Sequence, residues 1–140
     1  MIIIDTNVIS EFTRPTTSER VVEWFRRQDA NELYTTTITE AELIVAYWLM
    51  PEGKRKTDLQ RETEIMLKMF GNRVLLFDRG AAREFSNVIV QRRASGQDTK
   101  EADGMIAAIA RALGASIATR NVNDFTNCGL DVINPWTASA

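Results

Sequence analysis

Four acidic residues fall where this chain has to account for a carboxylate. Asp5 follows the apolar run Ile2-Ile3-Ile4 at once, and Glu42 stands three residues after Thr39. Asp103 opens an apolar-faced stretch, and Asp124 lies just past another buried run, in Thr119-Arg120-Asn121-Val122-Asn123-Asp124-Phe125. Clustered carboxylates repel and raise one another's pKa unless a cation sits between them. The cation suited to an all-oxygen set is Mg²⁺ or Mn²⁺. Such a centre suits phosphodiester hydrolysis. One ion lowers the pKa of a bound water to make the attacking hydroxide, and a second, ~4 Å away, stabilises the leaving oxygen. No side-chain nucleophile is needed.

The rest of the composition narrows the chemistry. The 140 residues include no histidine, which removes Ser-His-Asp and Cys-His hydrolysis and His-based zinc sites. The lone Cys128 cannot form an internal disulfide and has no histidine to activate it, so a buried thiol in a reducing, cytoplasmic setting is expected. Net charge is −2, from 17 basic and 19 acidic residues. That argues against one large basic face, but not against acids at one site flanked by arginines. No apolar run approaches the ~20 residues of a membrane span.

The elements that must position these acids follow from pattern. Ile2–Ile4, Leu33–Ile38, Val74–Phe77, Ala115–Thr119 and Leu130–Ile133 read as strands; most are short, buried and β-branched. Helices are expected over Thr16–Gln28 with Ser18 as N-cap, from Thr39 through Tyr47, and over Lys54–Phe70, Arg79–Ala94 and Lys100–Leu113. Thr39 and Glu42 have capping-box spacing. Met105, Ile106, Ile109, Ala112 and Leu113 are expected to face inward. The helices on either side of Pro51-Glu52-Gly53 suggest a hairpin standing off the sheet. Alternating strands and helices predict an α/β architecture, a mostly parallel sheet of about five strands with helices on both faces. In such a sheet, strand ends share one rim, and ligands bind there.

Each acid also has an ordinary reading. Asp5 can cap a helix, Glu42 can complete a capping box, Asp103 can complement a helix dipole and Asp124 can start a turn. Four on one rim is the harder coincidence. Glu40 and Glu101 lie ~200° around their helices from Glu42 and Asp103, so neither can share their metal. Glu11 is read as a structural ion-pair partner and Asp98 as lying outside the pattern. Trp24, Trp48 and Trp136 are read as core or interface packing.

Ile2-Ile3-Ile4-Asp5-Thr6-Asn7-Val8-Ile9-Ser10-Glu11, Thr39-Glu40-Ala41-Glu42-Leu43, Asp103-Gly104-Met105-Ile106-Ala107-Ala108 and the Thr119–Phe125 segment together resemble the PIN-domain ribonucleases. More closely they resemble the VapC-type toxins of toxin–antitoxin pairs, as does the ending Gly129-Leu130-Asp131-Val132-Ile133-Asn134-Pro135-Trp136. The resemblance spans essentially the whole chain. It implies one Rossmann-like PIN nuclease domain over residues 1–140, Mg²⁺- or Mn²⁺-dependent RNA cleavage, neutralisation by a small antitoxin, and a homodimer or toxin–antitoxin hetero-oligomer. It assigns metal and catalysis to Asp5, Glu42, Asp103 and Asp124, with Asp124 the position that varies most among such proteins. Asn7, Thr119 and Asn123 match supporting positions. Arg14, Arg92, Arg93, Lys100 and Arg120 are candidates for holding RNA phosphates.

Other readings compete. A haloacid-dehalogenase-type phosphatase needs Asp-x-Asp after the first strand, and here Asn7 holds the second position. A phosphorylatable receiver needs an acidic pair there and a lysine after a late strand; neither is present, although Asp78 could fill its middle role. A carboxylate–metal DNA nuclease and a catalytically silent α/β partner-binding or regulatory domain stay open at this level.

Overall fold

The computed structural model describes residues 1–139. Strands β1 (Ile2–Ile4), β2 (Leu33–Thr36), β3 (Val74–Leu75), β4 (Ser116–Ala118) and β5 (Val132–Ile133) form one sheet in the order β3-β2-β1-β4-β5. Every pairing is parallel, with Ile3 opposite Tyr34 on one side and Ile117 on the other. The helices are α1 (Thr6–Phe12), α2 (Glu19–Arg26), α3 (Thr37–Trp48), α4 (Lys54–Phe70), α5 (Arg79–Ala94) and α6 (Glu101–Leu113). None is long and apolar enough to cross a membrane among the described residues.

Alternation along the strands sorts the core into two layers. Ile3 and Ile117 point to the face covered by α5 and α6, packing with Val88, Ile106 and Ile109. Ile4, Leu33 and Ala118 point the other way, against Val8, Val21, Leu43, Met66 and Phe70 of α1 to α4. The chain builds the sheet outward from β1 to β3, then returns to the far side of β1 for β4. That makes β1/β4 the point where strand order reverses, and in open parallel sheets the crevice for ligands lies there.

Several local expectations are corrected. Helix α1, not anticipated from the sequence, begins directly after β1, with Asp5 as N-cap accepting from Thr6 N at 2.8 Å. β2 stops at Thr36 rather than Ile38, because the Thr36 hydroxyl accepts from Thr39 N and starts α3 there. The Thr39–Glu42 capping box does not form, so Glu42 is released from capping. Ala112 and Leu113 face outward at the end of α6. The α3–α4 hairpin does not stand clear of the sheet, since Met66, Leu67 and Phe70 join the core. Only its outer side, including Val45, Trp48 and Leu49, is exposed.

Arg92 is also corrected. It is 3% exposed, and its guanidinium donates to Thr99 Oγ1 and to the carbonyls of Asp98, Asn123 and Thr126 at 2.6–3.2 Å. A guanidinium so enclosed holds no RNA phosphate. Instead it ties the α5–α6 loop to the segment after β4, fixing the approaches to Asp103 and Asp124. Nearby, Gly104 lets α6 close on α5: an added Cβ would lie 2.9 Å from Phe85 Cε2 and 3.3 Å from Ile89 Cδ1.

Arg92→Met is expected to cost about 2–4 kcal/mol by stranding buried carbonyls, whereas exposed Arg93→Ala should cost under about 0.5 kcal/mol. Gly104→Ala should cost about 1–3 kcal/mol through overpacking. Urea unfolding of the three variants checks the ranking.

Candidate active site

A cleft of about 580 Å³ opens at the carboxyl ends of β1 and β4, and Asp5, Glu42, Asp103 and Asp124 all line it. Asp5 emerges from β1 and Asp124 closes a 3₁₀ turn, Val122–Asp124, beyond β4. Glu42 lies in the second turn of α3 and Asp103 in the first turn of α6. The parallel sheet and its crossovers thus bring four carboxylates from separate segments to one rim.

Asp5 is the most constrained of them. It is 4% exposed. Its Oδ1 accepts from Thr6 N, and its Oδ2 accepts from Thr119 Oγ1 at 2.7 Å and Asn7 Nδ2 at 3.1 Å. Thr119 also accepts from Asn7 Nδ2 and Asn121 N, both at 3.1 Å, so its hydroxyl is fully used. Asn7 Oδ1 accepts from Arg120 N at 3.0 Å. Each Asn7 amide atom therefore has a partner that fixes its orientation. Burial pushes Asp5 up to a pKa of about 6; the hydrogen bonds from Thr119 and Thr6 oppose that, and Asp103 and Glu42 add to it. Desolvation outweighs the hydrogen bonds because burial takes the carboxylate almost wholly out of water.

Asp103 is also raised, first by burial and then by Asp124 and Glu42, with Lys100 and Arg92 in partial opposition. Glu42 is exposed but held: its Oε1 accepts from the Thr6 hydroxyl at 2.8 Å, and that hydroxyl lies 3.1 Å from Thr39 Oγ1. One proton per hydroxyl makes this a chain, Thr39 donating to Thr6 and Thr6 to Glu42. The part Thr6 and Thr39 play in holding Glu42 escaped the sequence reading because α1 did; the spacing of Val8, Ile9 and Phe12 was the available signal.

Arg14, Lys100 and Arg120 line the cleft beside the acids. None of the four acids forms an ion pair among the described residues; Arg14 pairs instead with buried Glu11, at 3.4 Å. Arg93 is exposed at the end of α5, outside the cleft. Asn123 is not among the cleft residues either; it lines an adjoining hollow with Arg120 and Asp124. Trp24 is buried and Trp48 exposed, but Trp136 lines the cleft. Cys128 is buried, its thiol donating to Phe125 O at 2.7 Å, and burial raises its pKa.

The donor set fits a hard divalent cation. All of it is oxygen, it carries excess negative charge, and the burial of Asp5 penalises that charge. No three carboxylates close into a ready-made cage among the described residues. An ion such as Mg²⁺ keeps several waters, so it could reach some of these carboxylates through water.

Known proteins resemble this chain in sequence and fold. The model of the PIN domain matches residues 2–127. The plasmid stability protein StbB of Pseudomonas syringae pv. tomato is 45% identical over 99% of this chain and 100% of its own. The VapC ribonuclease Y4jK of Sinorhizobium fredii is 42% identical, over 97% of this chain and 98% of its own. Among solved structures, FitAcB from Neisseria gonorrhoeae superposes with a TM-score of 0.91 at 37% identity, covering 99% of this chain and 100% of that one. FitAB bound to an IR36 DNA fragment gives 0.92 at 35%, covering 100% and 99%. With the family model spanning most of the chain and relatives of this identity matching end to end, the protein belongs to the PIN domain family.

Proposed function

We propose that this chain is a divalent-metal-dependent endoribonuclease, the toxin of a toxin–antitoxin pair. It would act in the cytoplasm as a single nuclease domain, in a homodimer or a hetero-oligomer with a small cognate antitoxin. The observation that carries the reading is the set of four carboxylates lining one cleft, with no ion pair to any of them among the described residues. The VapC ribonuclease relative and the FitAB complex supply the substrate class and the type of partner.

Asp5, Asp103 and Glu42 would hold Mg²⁺ or Mn²⁺, with Asp124 completing the set directly or through water. When bound, the metal supplies Lewis acidity at the phosphate and lowers the pKa of a coordinated water. The chain's own residues do the rest. Asn7 and Thr119 fix the Asp5 carboxylate in rotation. Thr6 holds Glu42. Arg14, Lys100 and Arg120 would position RNA phosphates without neutralising the acids. Burial first, and then the neighbouring carboxylates, raise the pKa of Asp5 and Asp103, and a cation among them would offset both effects.

Cleavage of a labelled structured RNA, with the protein freed of any partner, is expected with Mn²⁺ or Mg²⁺ and abolished by EDTA. Asp103→Asn, prepared identically, should lose at least ~10³-fold in rate. Equal cutting by both proteins would mean a contaminating nuclease and sink the assignment.

Stability gives a second check. Asp5 moves from an ordinary pKa of 3.8 to about 6 on folding, so the native state binds the proton more tightly. Its favourable contribution is complete below pH 3.8 and is lost as pH rises through about 6. Between pH 3.5 and 7.5, metal-free parent should therefore lose about 3 kcal/mol relative to Asp5→Asn, which does not titrate. Urea unfolding at both pH values, without metal, measures that difference. A gap that does not change with pH would show that Asp5 carries no burden of burial.

A further inference from the structure

On the side of β4 and β5 the cleft changes character. Arg120 and Trp136 both line it, the guanidinium carbon 5.1 Å from the centre of the indole ring. Beyond Arg120 lies the adjoining hollow, about 380 Å³, walled also by Asn121, Val122, Asn123, Asp124 and Asn134. Arg120, Asn121 and Asp124 are thus common to cleft and hollow. Asn121 and Asn123 are exposed, and their side-chain amides make no hydrogen bond among the described residues. Asn134 is committed, its Oδ1 accepting from Trp136 N at 2.9 Å.

We propose that the Arg120–Trp136 layer and this asparagine-lined hollow form a nucleobase-reading subsite for single-stranded RNA, holding the base next to the scissile phosphate. Three features point to a base. A guanidinium plane fixed beside an aromatic ring is a surface on which unstacked bases lie. Free side-chain amides offer a donor beside an acceptor, which matches a base edge such as that of adenine. The hollow also combines one cation with one carboxylate, which suits a neutral polar ring and repels a phosphate at Asp124.

The subsite is registered to the chemistry. Asn7 joins Asp5 Oδ2 at 3.1 Å to the main-chain N–H of Arg120 at 3.0 Å. The main chain that carries Arg120 is therefore joined to Asp5 by two hydrogen bonds through one side chain. This rests on the ribonuclease reading for its ligand class, but its test does not require cleavage.

The experiment uses full-length Asp103→Asn protein with Mg²⁺ and fluorescent single-stranded tetraribonucleotides that differ at one position. Anisotropy is expected to give at least about a fivefold spread in affinity across the four bases. Adding Asn121→Ala and Asn123→Ala should shrink the spread to under about twofold, while binding of the weakest base is kept. Adding Arg120→Lys instead preserves the charge and loses the plane, and should weaken the best oligonucleotide about fivefold. Thermal midpoints confirm that each variant is folded. No base preference, or one that the asparagine changes leave intact, overturns the subsite even if the parent cuts RNA. A preference abolished by those changes in a chain that cuts no RNA keeps the subsite and removes the ribonuclease reading.

Discussion

The structure depends on burying one carboxylate at the end of its central strand. Asp5 has neighbouring strands on both sides, since β1 pairs with β2 and β4, and its own N–H bonds Ala118 O at 3.0 Å. The residue is only 4% exposed. Its negative charge must be balanced by local donors, by a proton or by a cation. The fold provides donors from two elements at once, Thr6 and Asn7 of α1 and Thr119 beyond β4, yet burial still outweighs them and lifts its pKa to about 6. The remaining tendency to take up positive charge is what a metal site exploits.

The nearby cations are placed so that they do not remove that tendency. Arg14 reaches Glu11 rather than any of the four acids, and Arg92 donates to main-chain carbonyls. Lys100 lowers Asp103 only against the stronger effect of burial. A direct Arg–Asp pair in the cleft would stabilise the empty protein and compete with a divalent ion. Arg92 instead positions its neighbours, anchoring the loop before Asp103 and the turn that carries Asp124.

Most of this framework was legible because it rests on patterns of hydrophobicity. Short β-branched runs located every strand, and acids immediately after buried runs located the rim. Less was legible where a single hydroxyl decides. Thr35 to Ile38 reads as continuous strand, yet the Thr36 side chain ends it by capping Thr39 N. Helix α1 was hidden because it starts with no linker after β1 and spans only Thr6–Phe12. Burial of a charged side chain is also not encoded locally. Arg92 and Arg93 are neighbours of one type, and only the packing of α5 against the loop before α6 sends one inward.

Asp5 as helix cap and Asp5 as site acid, alternatives when the residue is considered alone, are compatible in one geometry. Capping α1 uses Oδ1 toward Thr6 N and so fixes the plane of the carboxylate. That leaves Oδ2 toward Thr119 and Asn7, and through Asn7 toward the main chain of Arg120. Replacing the cap by a residue with no acceptor would free the start of α1, which carries both Thr6 and Asn7. Glu42 would lose the Thr6 hydroxyl and Arg120 its tether in the same event. Local secondary structure and site geometry are coupled here by two adjacent side chains on the first turn of one short helix.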